Sequence, residues 1–323
     1  MIPVTSKEVV RKSLYFETPE RYARDFPEPF GSDFRTVSSA PHPDDRLSKG
    51  VDSWGCVWNS IGAVTLGEVA DFPLKVWDDL PRLRIPDVEN ESIWENVKGA
   101  REAAGDRYLL GNGVSIYERL HFLRGLENTW CDIHEEPENL CALIDILTEL
   151  NIKMIRRYGR YGADGLIFCD DWGLQNRLMI DPADWRRLWK PAYKRIFDAA
   201  HAEGMDTFLH SCGYIIDILD DLIEIGLNAI HMDQQENMGL ENLSRFRGRL
   251  TFFAPVDIQK TMATGTPAEI RAYCRKMARC LGKREGGFIP RWYADPVGAG
   301  HTRANIDAMC REFLTISEEM YGK

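Results

Sequence analysis

TFLHSCGYIIDILDDLIEIGLNAIHMDQQE, residues 207–236, decides how the rest of the chain is read. A short apolar run ends in His210-Ser211-Cys212-Gly213, an amphipathic stretch follows, and a second apolar run ends in Asp233-Gln234-Gln235-Glu236. Strand, polar end, helix, strand, polar end is one βαβ unit of a parallel sheet. Alternate side chains of a strand share a face, so His210 and Cys212 point the same way. An imidazole and a thiolate make a borderline-soft pair suited to zinc, while a buried cysteine can equally serve as a small hydrophobe. Their place at a strand's C-terminal end favours chemistry, because parallel α/β folds hold their sites there.

The same rhythm extends in both directions. Upstream, 108–112 reads as a strand, 92–105, 115–125 and 137–162 as helices, and 165–173 (GLIFCDDWG) as a strand whose end carries Asp170, Asp171 and Trp172. Residues 182–204 read as a helix bent at Pro191, which has no backbone N–H to give. Downstream come helix 240–246, strand 250–254, helix 267–281, strand 286–291 and helix 303–320. VDSWGCVWNS from Val51 alternates Trp54, Cys56 and Trp58, and AVTLGEV follows Gly62; these read as strands or a hairpin near the site mouth, with the tryptophans as core or lid. No GxGxxG or Walker loop follows any strand, which leaves a nucleotide site unsupported. About eight strands in this length imply a TIM (β/α)8 barrel over 51–323. An N-terminal arm, 1–50, precedes it, with a helix at 6–16.

A barrel gathers its strand ends at one mouth. Asn112, Asp170, Asp171, His210, Cys212, Asp233, Asp257 and Arg291-Trp292-Tyr293 are then the pocket candidates. Each acid can instead cap the helix that follows it, the reading preferred for Asp181 and Asp257 and open for Asp170-Asp171.

Composition narrows the class. With 44% hydrophobic and 28% charged residues the chain reads as an ordinary globular enzyme. A formal net charge of −10 argues against a nucleic-acid partner, whose phosphates need a basic surface. The N-terminal stretch is too polar for a signal-peptide core and no apolar run reaches membrane-span length, so a cytoplasmic location is expected. Eight scattered cysteines without a CxxC read as reduced thiols.

Long segments in register then make the chain recognisable. IYERLHFLRGLENTWCDI (116–133), FCDDWGLQNRLMIDPADWRRLWKPAYKRIFDAAHAEG (168–204), FLHSCGYIIDILDDLIEIGLNAI (208–230) and LTFFAPVDIQKTMATGTPAEI (250–270) resemble the uroporphyrinogen decarboxylase superfamily. SKEVVRKSLYFETPERYARDF (6–26) resembles its opening helix. The resemblance implies a TIM barrel, a homodimer and one of two chemistries: cofactor-free decarboxylation of a porphyrinogen, or zinc-dependent methyl transfer to or from corrinoid proteins. The decarboxylase branch is expected to carry an RQAGRY-like run whose arginines neutralise the substrate's carboxylates, and the matching region here has none.

The corrinoid-dependent methyltransferase branch fits better, since its members carry a His-x-Cys where His210 and Cys212 stand. By position Asp233 is the preferred third ligand, with Glu236 and His231 as alternatives. The last strand, GGFIPRWYADPVGAGH (286–301), lacks the cysteine that the coenzyme M enzymes place there. One thiolate fewer makes a stronger Lewis acid, which suits polarising an ether oxygen more than activating a thiol. The expected activity is therefore transfer of a methyl group from a methoxylated, aromatic substrate to the cob(I)alamin of a separate corrinoid protein. Asp170, Asp171 and Tyr293 are the candidate catalytic groups, and Asn112, Trp172, Gln175 and Trp292 would bind substrate. A decarboxylase or a barrel that binds without turnover are the alternatives.

Overall fold

The computed structural model of the chain describes residues 4–43, 45, 50–59 and 67–322. Strands β1 (Phe34–Val37), β4 (Tyr108–Asn112), β5 (Gly165–Cys169), β6 (Asp206–His210), β7 (Ala229–His231), β8 (Thr251–Ala254) and β9 (Phe288–Pro290) form one sheet in that order, every pair parallel. Strands β2 (Val57–Asn59) and β3 (Glu68–Asp71) pair apart from it as an antiparallel hairpin. A single residue spans the gap between the sheet's edges. Asp25 donates its N–H to Pro290 (3.1 Å), accepts from Trp292 N (2.9 Å), and bridges Ser32 just ahead of β1. The result is a TIM-type α/β barrel.

The interior is filled by aromatic rings. Phe34 stacks on Phe253 at 5.1 Å and meets Tyr108 (5.5 Å) and Phe208 (6.3 Å) edge-on. Helix α1 (Ser6–Leu14) closes the floor beneath them with Val9, Val10 and Leu14. Its start is fixed by a capping box, Thr5 with Glu8, which satisfies two backbone donors reciprocally. Acids at the N-terminal strand ends anchor it there: Asp164 pairs with Lys7 (2.5 Å), and Asp206 accepts from Tyr15 (2.5 Å) and Tyr108 (2.8 Å).

Two expectations change, and a third resolves to one of its alternatives. The described residues of 1–50 are not an arm outside the barrel, since they supply β1 and the bridging Asp25. The run from Val51 takes the hairpin alternative, apart from the barrel sheet; Trp58 pairs with Val69 in it and packs edge-on against Phe122 at 5.0 Å, and Gly62 and residues 60–66 lie outside the described residues. The helix expected at 92–105 shrinks to a 3-10 turn at Glu91–Trp94 and a helix at Ala100–Ala104, because Gly99 adopts φ +73 between them. The bend at Pro191 is present: the segment divides into Pro182–Leu188 and Lys190–Ala202, with the proline in the first turn of the second helix. No described helix is long and apolar enough to cross a membrane.

Phe34 sits where three other rings converge, so Phe34→Ala should lower stability by about 3–5 kcal/mol, read as a fall in the denaturant midpoint. A loss below about 1 kcal/mol would show that the interior repacks freely.

Candidate metal centre at the barrel mouth

Strands β5, β6 and β7 end in register. Cys169 stands opposite His210, and His210 opposite His231. Parallel neighbours lie about 4.8 Å apart, so in-register side chains on one face are brought together. Two residues further along, the same face is presented by Asp171, Cys212 and Asp233. Three consecutive strand ends therefore read Cys169-x-Asp171, His210-x-Cys212 and His231-x-Asp233.

The distances bear this out. His210 Nε2 lies 3.4 Å from Cys212 Sγ and 3.4 Å from Asp171 Oδ1, while its Nδ1 lies 2.9 Å from His231 Nδ1. His231 Nε2 faces Asp233 Oδ1 at 3.1 Å and Arg291 Nη1 at 2.5 Å. The donor atoms of Cys169, Asp171 and His210 all fall within 4.8 Å of one another, as do those of His210, His231 and Asp233. Two glycines hold the rows side by side: Gly213, at φ +76, lies backbone to backbone against Gly173, where a Cβ on either would strike the other loop.

Electrostatics mark the cluster as rich in anionic groups. Burial pushes the Cys212 thiol up, and Asp171 and Asp233 push it further. Burial, Glu118 and Asp171 do the same to Cys169, whose residue surface nonetheless opens to the mouth. Glu118 is raised to about 7 by burial and by Asp170 and Asp171. Asp233 is also penalised by burial, yet His231, His210 and Arg291 overcome that and hold its carboxyl below the usual range. Burial and then Arg291 lower His231 to about 3, so it is neutral. Thiols, carboxylates and an imidazole converging in this way are the donor set of a borderline-soft dication, which would relieve the repulsion and draw the thiols into their ligating form.

Several expected site residues stand elsewhere. Asp170 is fully buried and accepts from Ile116 N (3.1 Å), Tyr117 N (2.8 Å), Glu118 N (3.0 Å) and Tyr193 Oη (2.6 Å), so it caps the helix Tyr117–Arg124, which follows the adjacent strand β4, instead of reaching the mouth. Burial pushes it up to about 6 and those four donors oppose the rise, leaving it ionised at neutral pH. Trp172 is a core residue, stacked on Tyr117 at 3.8 Å with its indole N–H on Tyr193 Oη (3.0 Å). Glu236 turns away to accept from Tyr273. Asn112 donates to Ser38 (2.5 Å) at the rim, Gln175 is exposed on the loop after β5, and Trp292 is half-buried against the core. Tyr293 follows Arg291-Trp292 just past β9, half-buried with its ring 5.9 Å from that of His301, and is raised by burial and then by Asp233. Asp181 and Asp257 cap their helices, as the sequence suggests.

The sequence reading passed over Cys169 and Glu118. Alternation would have found Cys169: on the strand face shared with Asp171 it is the neighbour that counts, and Asp170 and Trp172 belong to the opposite, buried face. Glu118 carries no such signal, because a helix start reaches the mouth only through the Asp170 cap.

Comparison with known proteins agrees with the fold. A family model described as uroporphyrinogen decarboxylase (URO-D) matches residues 64–290. The chain belongs to this family. It is 23% identical over 185 residues to the uroporphyrinogen decarboxylase of Geobacter metallireducens, covering 54% of this chain and 52% of that protein. Against the enzyme of that name from Geobacillus kaustophilus it is 25% identical over 156 residues, 46% of this chain and 44% of that protein. The chain thus spans about half the length of the curated relatives it matches. Among solved structures, a methyltransferase from Methanosarcina mazei superposes with a TM-score of 0.69 at 15% identity, covering 97% of this chain and 99% of that one. The two chains share one fold over that length.

Two variants test the supports of the site. Asp170→Asn would turn an amide N–H₂ towards N–H donors, and should cost about 1–3 kcal/mol in chemical denaturation; an unchanged midpoint would mean the cap is dispensable. His121, on the capped helix, packs against Tyr117 at 4.2 Å and is lowered by burial to about 4. A histidine favoured neutral in the fold contributes fully above its unfolded value of about 6.5 and loses that contribution as the pH falls towards 4. His121→Phe should therefore flatten the decline of Tm between pH 6.5 and 4, and a slope equal to wild type would contradict the burial.

Proposed function

We propose that the chain is a zinc-dependent methyltransferase that passes a methyl group from a methoxylated substrate, an aromatic methyl ether in the first instance, to the cob(I)alamin of a partner corrinoid protein. The observation that supports it is the convergence of two thiols, an imidazole and carboxylates at one barrel mouth, a donor set that decarboxylation of a porphyrinogen does not need. The family relatives named decarboxylases point the other way. Glu118, Asp171 and Asp233 line this mouth, however, and would repel a polycarboxylate.

His210 and Cys212 would hold the metal, which supplies Lewis acidity to the ether oxygen and so eases departure of a poor leaving group. The chain's own side chains do the rest. Tyr293, just past the end of β9, would orient the ether. Glu118, half-buried and raised to about 7 by burial and by Asp170 and Asp171, would deliver a proton to the departing oxygen. The carbon–oxygen bond would break with its electron pair going to oxygen, which takes the proton, while the corrinoid substrate would supply the electron pair of the new bond to the methyl carbon.

Zinc-replete protein incubated with cob(I)alamin and a panel of methoxylated aromatics should consume the cob(I)alamin absorbance with at least one donor. Glu118→Gln should lower kcat by about 10²–10⁴-fold with little change in KM, the range for loss of a general acid. No consumption with any donor, alongside release of carbon dioxide from a porphyrinogen, would replace the proposal with the decarboxylase reading.

A further inference from the structure

On the floor side of the barrel, away from the mouth, a cavity of about 740 Å³ lies between the helices Pro267–Leu281 and Arg303–Tyr321. Two bridges fix that position: Arg247 joins Leu250 just ahead of β8, and Lys283 joins Gly286 just ahead of β9. Among the described residues, five cationic side chains line it, Arg247, Arg275, Arg279, Lys283 and Arg284, against one acid, Glu319. The imbalance stands out in a chain whose formal net charge is −10.

Part of that charge is already matched. Arg275 donates to Glu319 through both Nη atoms (2.8 and 3.0 Å) and pairs with Glu312 at Nε (2.6 Å). Arg247 Nη1 donates to the Arg279 carbonyl (2.7 Å), near the helix's C-terminal end, where a cation also meets the negative end of the dipole. Arg279, Lys283 and Arg284 have no acid within ion-pair distance among the described residues. Three uncompensated cations on one concave wall raise its potential and favour an anion there. A second feature lies behind the wall: Tyr22 is 2% exposed, its hydroxyl has no hydrogen-bond partner, and it stands 3.0 Å from where a Cβ of Gly282, a lining residue, would lie. The hydroxyl thus abuts the cavity wall at a residue with no side chain, and a buried donor left unmatched is rare.

We propose that this cavity binds an anion of two or more linked phosphoryl groups, at a site separate from the barrel mouth. Guanidinium forks match phosphoryl oxygens two at a time, and arginines outnumber lysine in this wall. Three free cations call for about three negative charges; a single phosphoryl group, at about −2, falls short, and a linked pair supplies them. Concavity favours a small anion over the flat acidic face of a protein. The site binds without turning over: its described lining holds no histidine or cysteine, and Arg275 occupies Glu319.

Isothermal titration of the full chain with inorganic tripolyphosphate at low salt tests this. One site per chain is expected, weakening as salt is added, because charges on an open wall are screened. Arg279→Ala and Arg284→Ala, both at exposed positions, should each weaken binding about tenfold or more, the worth of one charge-assisted hydrogen bond. Tyr22→Phe should also weaken it with Tm kept, since the free protein has no partner for that hydroxyl to lose. Arg156→Ala, an exposed cation on the helix Pro137–Arg160, should leave affinity unchanged. Folded wild type that binds no tripolyphosphate, or an affinity insensitive to both Arg279→Ala and Arg284→Ala, overturns the site. An equal loss in Arg156→Ala reduces it to general charge attraction and overturns it as well. Citrate binding more tightly than tripolyphosphate overturns the phosphoryl assignment.

Discussion

Parallel pairing in register is the constraint on which this molecule depends. Because β5, β6 and β7 end level, the alternation of each strand becomes two rows that cross all three: Cys169, His210, His231, then Asp171, Cys212, Asp233. A slip of one residue in any strand would send its pair to the opposite face and leave the others without partners. The loops after β5 and β6 guard against that slip by packing Gly173 on Gly213, a contact closed to any side chain.

Beneath the rows lies an apolar layer that sets their electrostatics. Phe253 is in register with His231, and the Arg291 guanidinium lies over its ring at 4.8 Å. Aromatic filling excludes water from below, so the charges above are strongly coupled and thiols beside carboxylates are costly to ionise. The same burial acts differently on Asp170. Three backbone N–H groups and a tyrosine hydroxyl surround it, and it joins the first turn of the helix Tyr117–Arg124 to the strand beside the cluster. Adjacent acids at one strand end thus take separate parts, Asp170 holding the scaffold and Asp171 facing the mouth.

Acids also separate the two ends of the barrel. At the floor, Asp164 and Asp206 bind the N-terminal helix through Lys7 and its C-cap Tyr15, Asp206 also accepts from Tyr108 of β4, and their partners leave them structural. At the mouth, Glu118, Asp171 and Asp233 gather around sulfur and imidazole. The difference between a structural and a reactive acid lies in what the opposite wall offers: cations and hydroxyls below, further anionic groups above.

The local periodicities of this chain were legible without a structure, because a strand or an amphipathic helix is written in its own few residues. The βαβ rhythm, the break at Pro191, the caps at Asp181 and Asp257, and the common face of His210 and Cys212 all belong to that class. Closure of the barrel was not legible. It relies on Asp25 and Phe34, from a polar segment without periodicity, meeting β9 and Phe253 more than 200 residues away in the chain. Nor was the register between strands, which decides that Cys169 and His231 flank His210. Pairing register is set by packing across elements, and no single strand carries that information.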